Sequence, residues 1–173
     1  MTFGTRVGTV LVNIPTSILV ARLLGPEGQG SYASAVIFPT TFAFMGLLGV
    51  DAAHTYFLSR RNYTLGQVNT QSAILTIALS VLLVPAYILF VQVYRGVGTE
   101  AFRAILMSAA ALVPILIAKY LSIALLLGLQ RIRWFNAANM VQAASLFVFM
   151  VVNLFVLEGG VAGAVIAYML SEA

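Results

Sequence analysis

Four stretches of this chain, residues 31–50, 62–94, 104–118 and 134–157, contain no Asp, Glu, Lys or Arg. An α-helix that crosses the hydrocarbon of a bilayer needs about 20 consecutive, mostly apolar residues. The first, second and fourth stretches reach that length, and the third does so if it continues through Lys119 to Gln130. Across the 173 residues, 61% are hydrophobic and 8% are charged, against roughly 25% charged residues in a soluble domain. No water-soluble fold of this size hides so much apolar surface. The sequence therefore predicts an all-α, polytopic membrane helical bundle.

The expected spans lie near 7–24, 31–58, 69–94, 102–129 and 134–157, with a sixth beginning at Gly159 or Gly160. About fourteen residues then remain before Ala173, short of the ~20 that a crossing needs. The expectation is thus five full spans plus a truncated sixth, in a fragment of a longer, transporter-like chain. The first apolar run, from Val7, follows Arg6 as a signal sequence would. It lacks a small-residue cleavage pattern and leads straight into further spans, so it reads as a retained helix. Cysteine is absent, which removes disulfides and thiolate metal sites.

The net charge is +4, but the arginines are scattered over separate loops, with no basic helix face of the kind nucleic acid requires. Orientation in the membrane explains them better. With a cytoplasmic N-terminus, Arg6, Arg60, Arg61, Arg131 and Arg133 fall inside, and Arg22, Arg95 and Arg103 fall outside, in keeping with the positive-inside rule. Tyr32, Tyr56, Tyr94 and Trp134 come near predicted helix ends, where amphipathic rings suit the headgroup layer. The expected location is the cytoplasmic (inner) membrane of the cell.

Proline and glycine punctuate the spans. Pro15, Pro39, Pro85 and Pro114 each fall inside one, where the missing N–H and the ring bend or open a helix. Such kinks can enclose a cavity, or simply reflect the tolerance of membrane helices for proline. Between the first two spans lies ARLLGPEGQGSYA, Ala21 to Ala33. Gly25, Gly28 and Gly30 permit positive φ and Pro26 presets a turn. Ser31 can cap the following helix. The segment reads as a short loop joining antiparallel spans.

The wording of that loop, with Arg22 and Glu27 around Gly25, Pro26, Gly28 and Gly30, also resembles the first extramembrane loop of bacterial polysaccharide transporters and O-antigen flippases. These belong to the multidrug/oligosaccharidyl-lipid/polysaccharide flippase superfamily. The likeness continues at Gly49-Val50-Asp51-Ala52-Ala53-His54-Thr55-Tyr56-Phe57 and at Gly159-Gly160-Val161-Ala162-Gly163-Ala164. The resemblance implies a carrier of twelve to fourteen helices in two facing bundles. It would move a lipid-linked oligosaccharide or polysaccharide precursor to the outer leaflet by alternating access. This chain, 1–173, would be the N-terminal bundle, and its partners would be the bilayer, the lipid-linked sugar and the missing C-terminal half of the same protein. Relatives often carry an arginine after the second motif's small residues. Here Thr55-Tyr56-Phe57 stands instead.

Ionisable groups inside spans are costly unless paired or hydrated, which singles out Asp51, His54 and Lys119. Counting back along unbroken helices from Arg61 and Arg131 puts Asp51 about 15 Å and Lys119 about 18 Å from the same edge, so the two are expected to meet on a cavity wall. His54 follows Asp51 by three residues and shares its face. Together they offer a proton or cation step, or else a hydrated pair at the headgroup boundary. Arg22 can meet a sugar phosphate, complete a helix terminus, or pair with Glu27. Asn136, Asn139 and Gln142 recur at three-residue spacing as interhelical hydrogen-bond partners or cavity lining, and Asn13 is similar.

No metal-binding set or cofactor motif is present. A membrane enzyme would need convergent catalytic groups, and a lone aspartate and histidine fall short, so the chain reads as a non-enzyme. A cation-coupled multidrug exporter of the same superfamily is the principal alternative, and a passive membrane scaffold a lesser one.

Overall fold

A computed structural model describes residues 3–60, 63–94 and 99–173. Arg61 and Arg95, two of the arginines used to orient the chain, lie outside the described residues. The described chain is helical, in the order α1 (Phe3–Leu47), α2 (Val50–Ser59), α3 (Leu65–Val93), α4 (Glu100–Ser108), α5 (Leu112–Gly128), α6 (Ile132–Val151) and α7 (Gly160–Glu172). A 3-10 turn, Ala109–Ala111, joins α4 to α5, and a π-helical stretch, Val152–Val156, continues α6. Counting these with the helices they extend gives six helical stretches among the described residues.

Four of the six are long and apolar enough to cross a membrane: Gly4–Leu47, Leu65–Val93, Glu100–Gly128 and Ile132–Val156. That corrects the expectation of five full spans and a truncated sixth. Several long apolar helices are compatible with a multi-pass membrane protein. The difference arises in the first two expected spans, 7–24 and 31–58. Helix runs through the glycine-rich motif, and only Gly25, at φ 67° and ψ 179°, leaves helical geometry. Pro26 then opens the second arm, where its missing N–H costs nothing. Ser31 consequently lies inside helix and caps nothing. The second expected span is cut at Leu48 and Gly49, at φ 46° and 83°, leaving Asp51 and His54 on the separate ten-residue α2.

Side-chain register fixes the direction of each element. In the first arm of α1 (3–24), Thr9 meets Met140 and Val20 clusters with Met150 and Leu154, so this arm runs alongside α6 in the same sense. In the second arm (26–47), Phe38 contacts Phe90, Phe42 contacts Tyr87, and Gly46 faces Leu83, so it runs opposite to α3. The kink at Gly25 thus lets one long helical stretch pack its first arm beside α6 and its second against α3.

Local chemistry accounts for several helix ends. Thr64 and Gln67 form a reciprocal capping box at the start of α3, satisfying two otherwise orphaned N–H groups. Thr99 Oγ1 accepts the amide of Phe102 at 3.2 Å to start α4. Pro114 lacks the N–H that would bond Ala110, and the 3-10 turn lies directly ahead of it. The main core gathers Leu47, Tyr87, Leu106, Leu116, Ile117 and Leu121, with the Tyr87 hydroxyl donating to the Leu106 carbonyl at 3.0 Å. Large apolar side chains such as Phe44, Ile77, Val81 and Leu82 are exposed, which is compatible with a lipid-facing surface.

Candidate functional site

Lys119 on α5, Gln142 on α6 and Glu172 on α7 converge inside the bundle. The Lys119 ammonium donates to Oε2 of Glu172, and Gln142 Nε2 donates to Oε1 at 3.2 Å. The Glu172 side chain is 2% exposed and that of Lys119 is 23% exposed. A carboxylate so deeply enclosed persists only if paired and hydrogen-bonded. Here each oxygen has its own donor. The phenols of Tyr32, Tyr120 and Tyr168 stand within electrostatic reach of the same carboxylate.

These three residues border a cavity of about 710 Å³ between α5, α6 and α7, which Asn139, Ser122 and Ser145 also line. Lys119, Asn139 and Gln142, singled out in the sequence, all line this cavity. Asn139 is braced by a bond from its Nδ2 to the Phe135 carbonyl at 2.8 Å. Asn136 is buried but lies outside that lining. Asn13 is exposed.

The expected meeting of Asp51 and Lys119 is replaced by the Lys119–Glu172 pair. Successive helical residues point about 100° apart, so Tyr120, the neighbour of Lys119, is the one that turns toward α2. Tyr120 and Asp51 line a second cavity of about 540 Å³ with Thr55, Tyr56 and Ser59. Asp51 stands in the first turn of α2, where the partial positive charge of the helix N-terminus favours a carboxylate. His54 does not share that lining. It is buried against α3, with Nδ1 3.3 Å from Ser72 Oγ. The two residues expected to form a relay thus face different neighbours.

Arg22 and Glu27 are both exposed, and among the described residues the ion pair is Lys119–Glu172 rather than one between them. Of the motif's glycines, Gly25 forms the kink and Gly28, in the second arm, approaches Val161 of α7, while Gly30 has open space around it. Among the described residues, no three His, Cys, Asp or Glu side chains gather as a metal site would need.

Glu172 is the functional candidate that sequence reasoning missed. Its signal is nonetheless present: Val165, Tyr168 and Glu172 recur at spacings of three and four, one face of a helix. That face is buried or half-buried throughout. Compared with protein-family models, curated proteins and solved structures, the chain matches none.

Proposed function

We propose that this chain is one helical bundle, the N-terminal one, of a carrier that exports lipid-linked oligosaccharide or polysaccharide precursors across the cytoplasmic membrane by alternating access. The observation that carries the reading is the Lys119–Glu172–Gln142 set beside a cavity of about 710 Å³ within an apolar helical bundle. Paired charges inside such a bundle mark a path for polar cargo more often than they add stability. The resemblance of the Ala21–Ala33 loop to polysaccharide transporters supplies the class of cargo. The chain's N-terminus is cytoplasmic in this reading, and a second bundle completes the path.

The test is translocation. The two-bundle carrier that contains this chain, reconstituted in vesicles loaded on one leaflet with a polyprenyl-diphosphate oligosaccharide, should render that sugar accessible to a lectin on the other side. Lys119→Gln should slow the transfer at least tenfold. Transfer of lipophilic cations but not of the lipid-linked sugar would favour the drug-exporter alternative and overturn this one.

A further inference from the structure

The polar groups around the α5–α6–α7 cavity have already spent much of their donor capacity. Ser122 Oγ donates to the Ala118 carbonyl at 2.8 Å, Ser145 Oγ to that of Gln142 at 3.0 Å, and Ser171 Oγ to that of Tyr168 at 2.7 Å. A hydroxyl has one hydrogen and two lone pairs, so these serines present acceptors to the cavity. Asn139 and Gln142 each commit one of two amide N–H groups, to Phe135 and Glu172 respectively, and keep the other together with a carbonyl oxygen. The cavity wall therefore offers several acceptors beside a few N–H donors, a mixture that hydroxyl groups, which both donate and accept, can meet.

It is also neutral, because Lys119 and Glu172 cancel. A cationic ligand would face the Lys119 ammonium, the more exposed of the two charges, and an anionic one would face the lone pairs of the wall and bind only by drawing Lys119 away from Glu172. Both approaches are disfavoured. An uncharged group bearing several O–H donors meets neither penalty. Ile123, Leu126 and Phe149 on the same wall suit the C–H faces of a sugar ring, in the usual division of a pocket into apolar walls and a few polar anchors.

We infer that this cavity binds an uncharged sugar unit through its hydroxyl donors, and that it selects against acidic and amino sugars. The inference refines the proposed cargo and rests on that reading only in supposing that the sugar arrives on a lipid. The probes are decyl β-glucoside, decyl β-glucuronide and decyl 2-amino-2-deoxy-β-glucoside, added to the full chain in nanodiscs at about pH 6, where carboxylate and amine are both charged. Empty nanodiscs correct for partitioning.

The glucoside should bind at least tenfold more tightly than either charged analogue. Lys119→Gln should shift the preference toward the amino sugar, and Glu172→Gln toward the glucuronide. If the variants fail to fold, the order on the unsubstituted protein still decides the matter. Equal or tighter binding of a charged glycoside, or no binding above the empty discs, overturns the inference. The predicted order without any translocation of lipid-linked sugar would leave the sugar site standing and remove the flippase reading; translocation without the order would do the reverse.

Discussion

Lys119 and Tyr120 are neighbours in the chain yet border different cavities: the ammonium faces Glu172 and Gln142 between α5, α6 and α7, while the phenol lines the space beside Asp51 on α2. A step of about 100° around α5 thus divides two linings that a count of depths alone would merge, with Tyr120 also within electrostatic reach of Glu172. The consequence is that charge at Asp51 and charge at Lys119 should be independently mutable.

The ion pair should respond asymmetrically to truncation. Lys119→Met strands Glu172, whose side chain is 2% exposed, and should cost about 3–5 kcal/mol, as breaking a buried pair does. Glu172→Met leaves a lysine whose long stem can still reach the cavity, at about 1–3 kcal/mol. The double Met variant should return to within about 1 kcal/mol of the unsubstituted protein. Unfolding followed by circular dichroism in detergent micelles measures all three.

Gly25→Ala should destabilise by about 1–3 kcal/mol, because φ 67° with ψ 179° is a region that essentially only glycine occupies. Gly30→Ala, at a helical position with open space around the new methyl, should instead be neutral or stabilising by up to about 1 kcal/mol. Equal effects in the same unfolding assay would contradict the assignment of the kink to Gly25.

At Gly128 the constraint is contact. An added Cβ would lie 2.9 Å from Leu58 Cβ and 3.2 Å from the Thr55 carbonyl, so Gly128→Ala must push α2 away from α5. A loss of about 1–3 kcal/mol is expected, with faster hydrogen exchange in α2 and little change in α7. Unaltered exchange in α2 would show that the two helices do not pack this closely.

Thr64→Ala removes one half of the capping box with Gln67 and should cost about 1 kcal/mol. The loss should appear as faster amide exchange confined to the first turn of α3. Exchange spread along the whole helix would point to a wider role.

The helical class and most of the element positions follow from charge-free length, because hydrocarbon leaves the backbone few alternatives to helix. Lys119, Asn139 and Gln142 stand out in the sequence as polar groups in apolar helices, and they share one cavity lining. The motif reads as a loop in the sequence but is helix with a kink at Gly25, since glycine and proline together suit both a loop and a helix-to-helix corner. The break at Leu48 was hidden. Leucine carries no turn signal, and its φ of 46° is imposed by the packing of α2 on α5. The partner of Lys119 was missed because distance along an axis was counted without direction around it, and because Glu172 had been assigned to a span too short to weigh.

The interruption at Leu48 and Gly49 frees α2 to follow a path of its own. It runs beside α5 in the same sense, with Asp51 near Tyr120 and Leu58 against Gly128. Asp51 and Lys119 therefore stand at one height on different sides of α5, and any dielectric boundary crossing the bundle at that level meets both charges together.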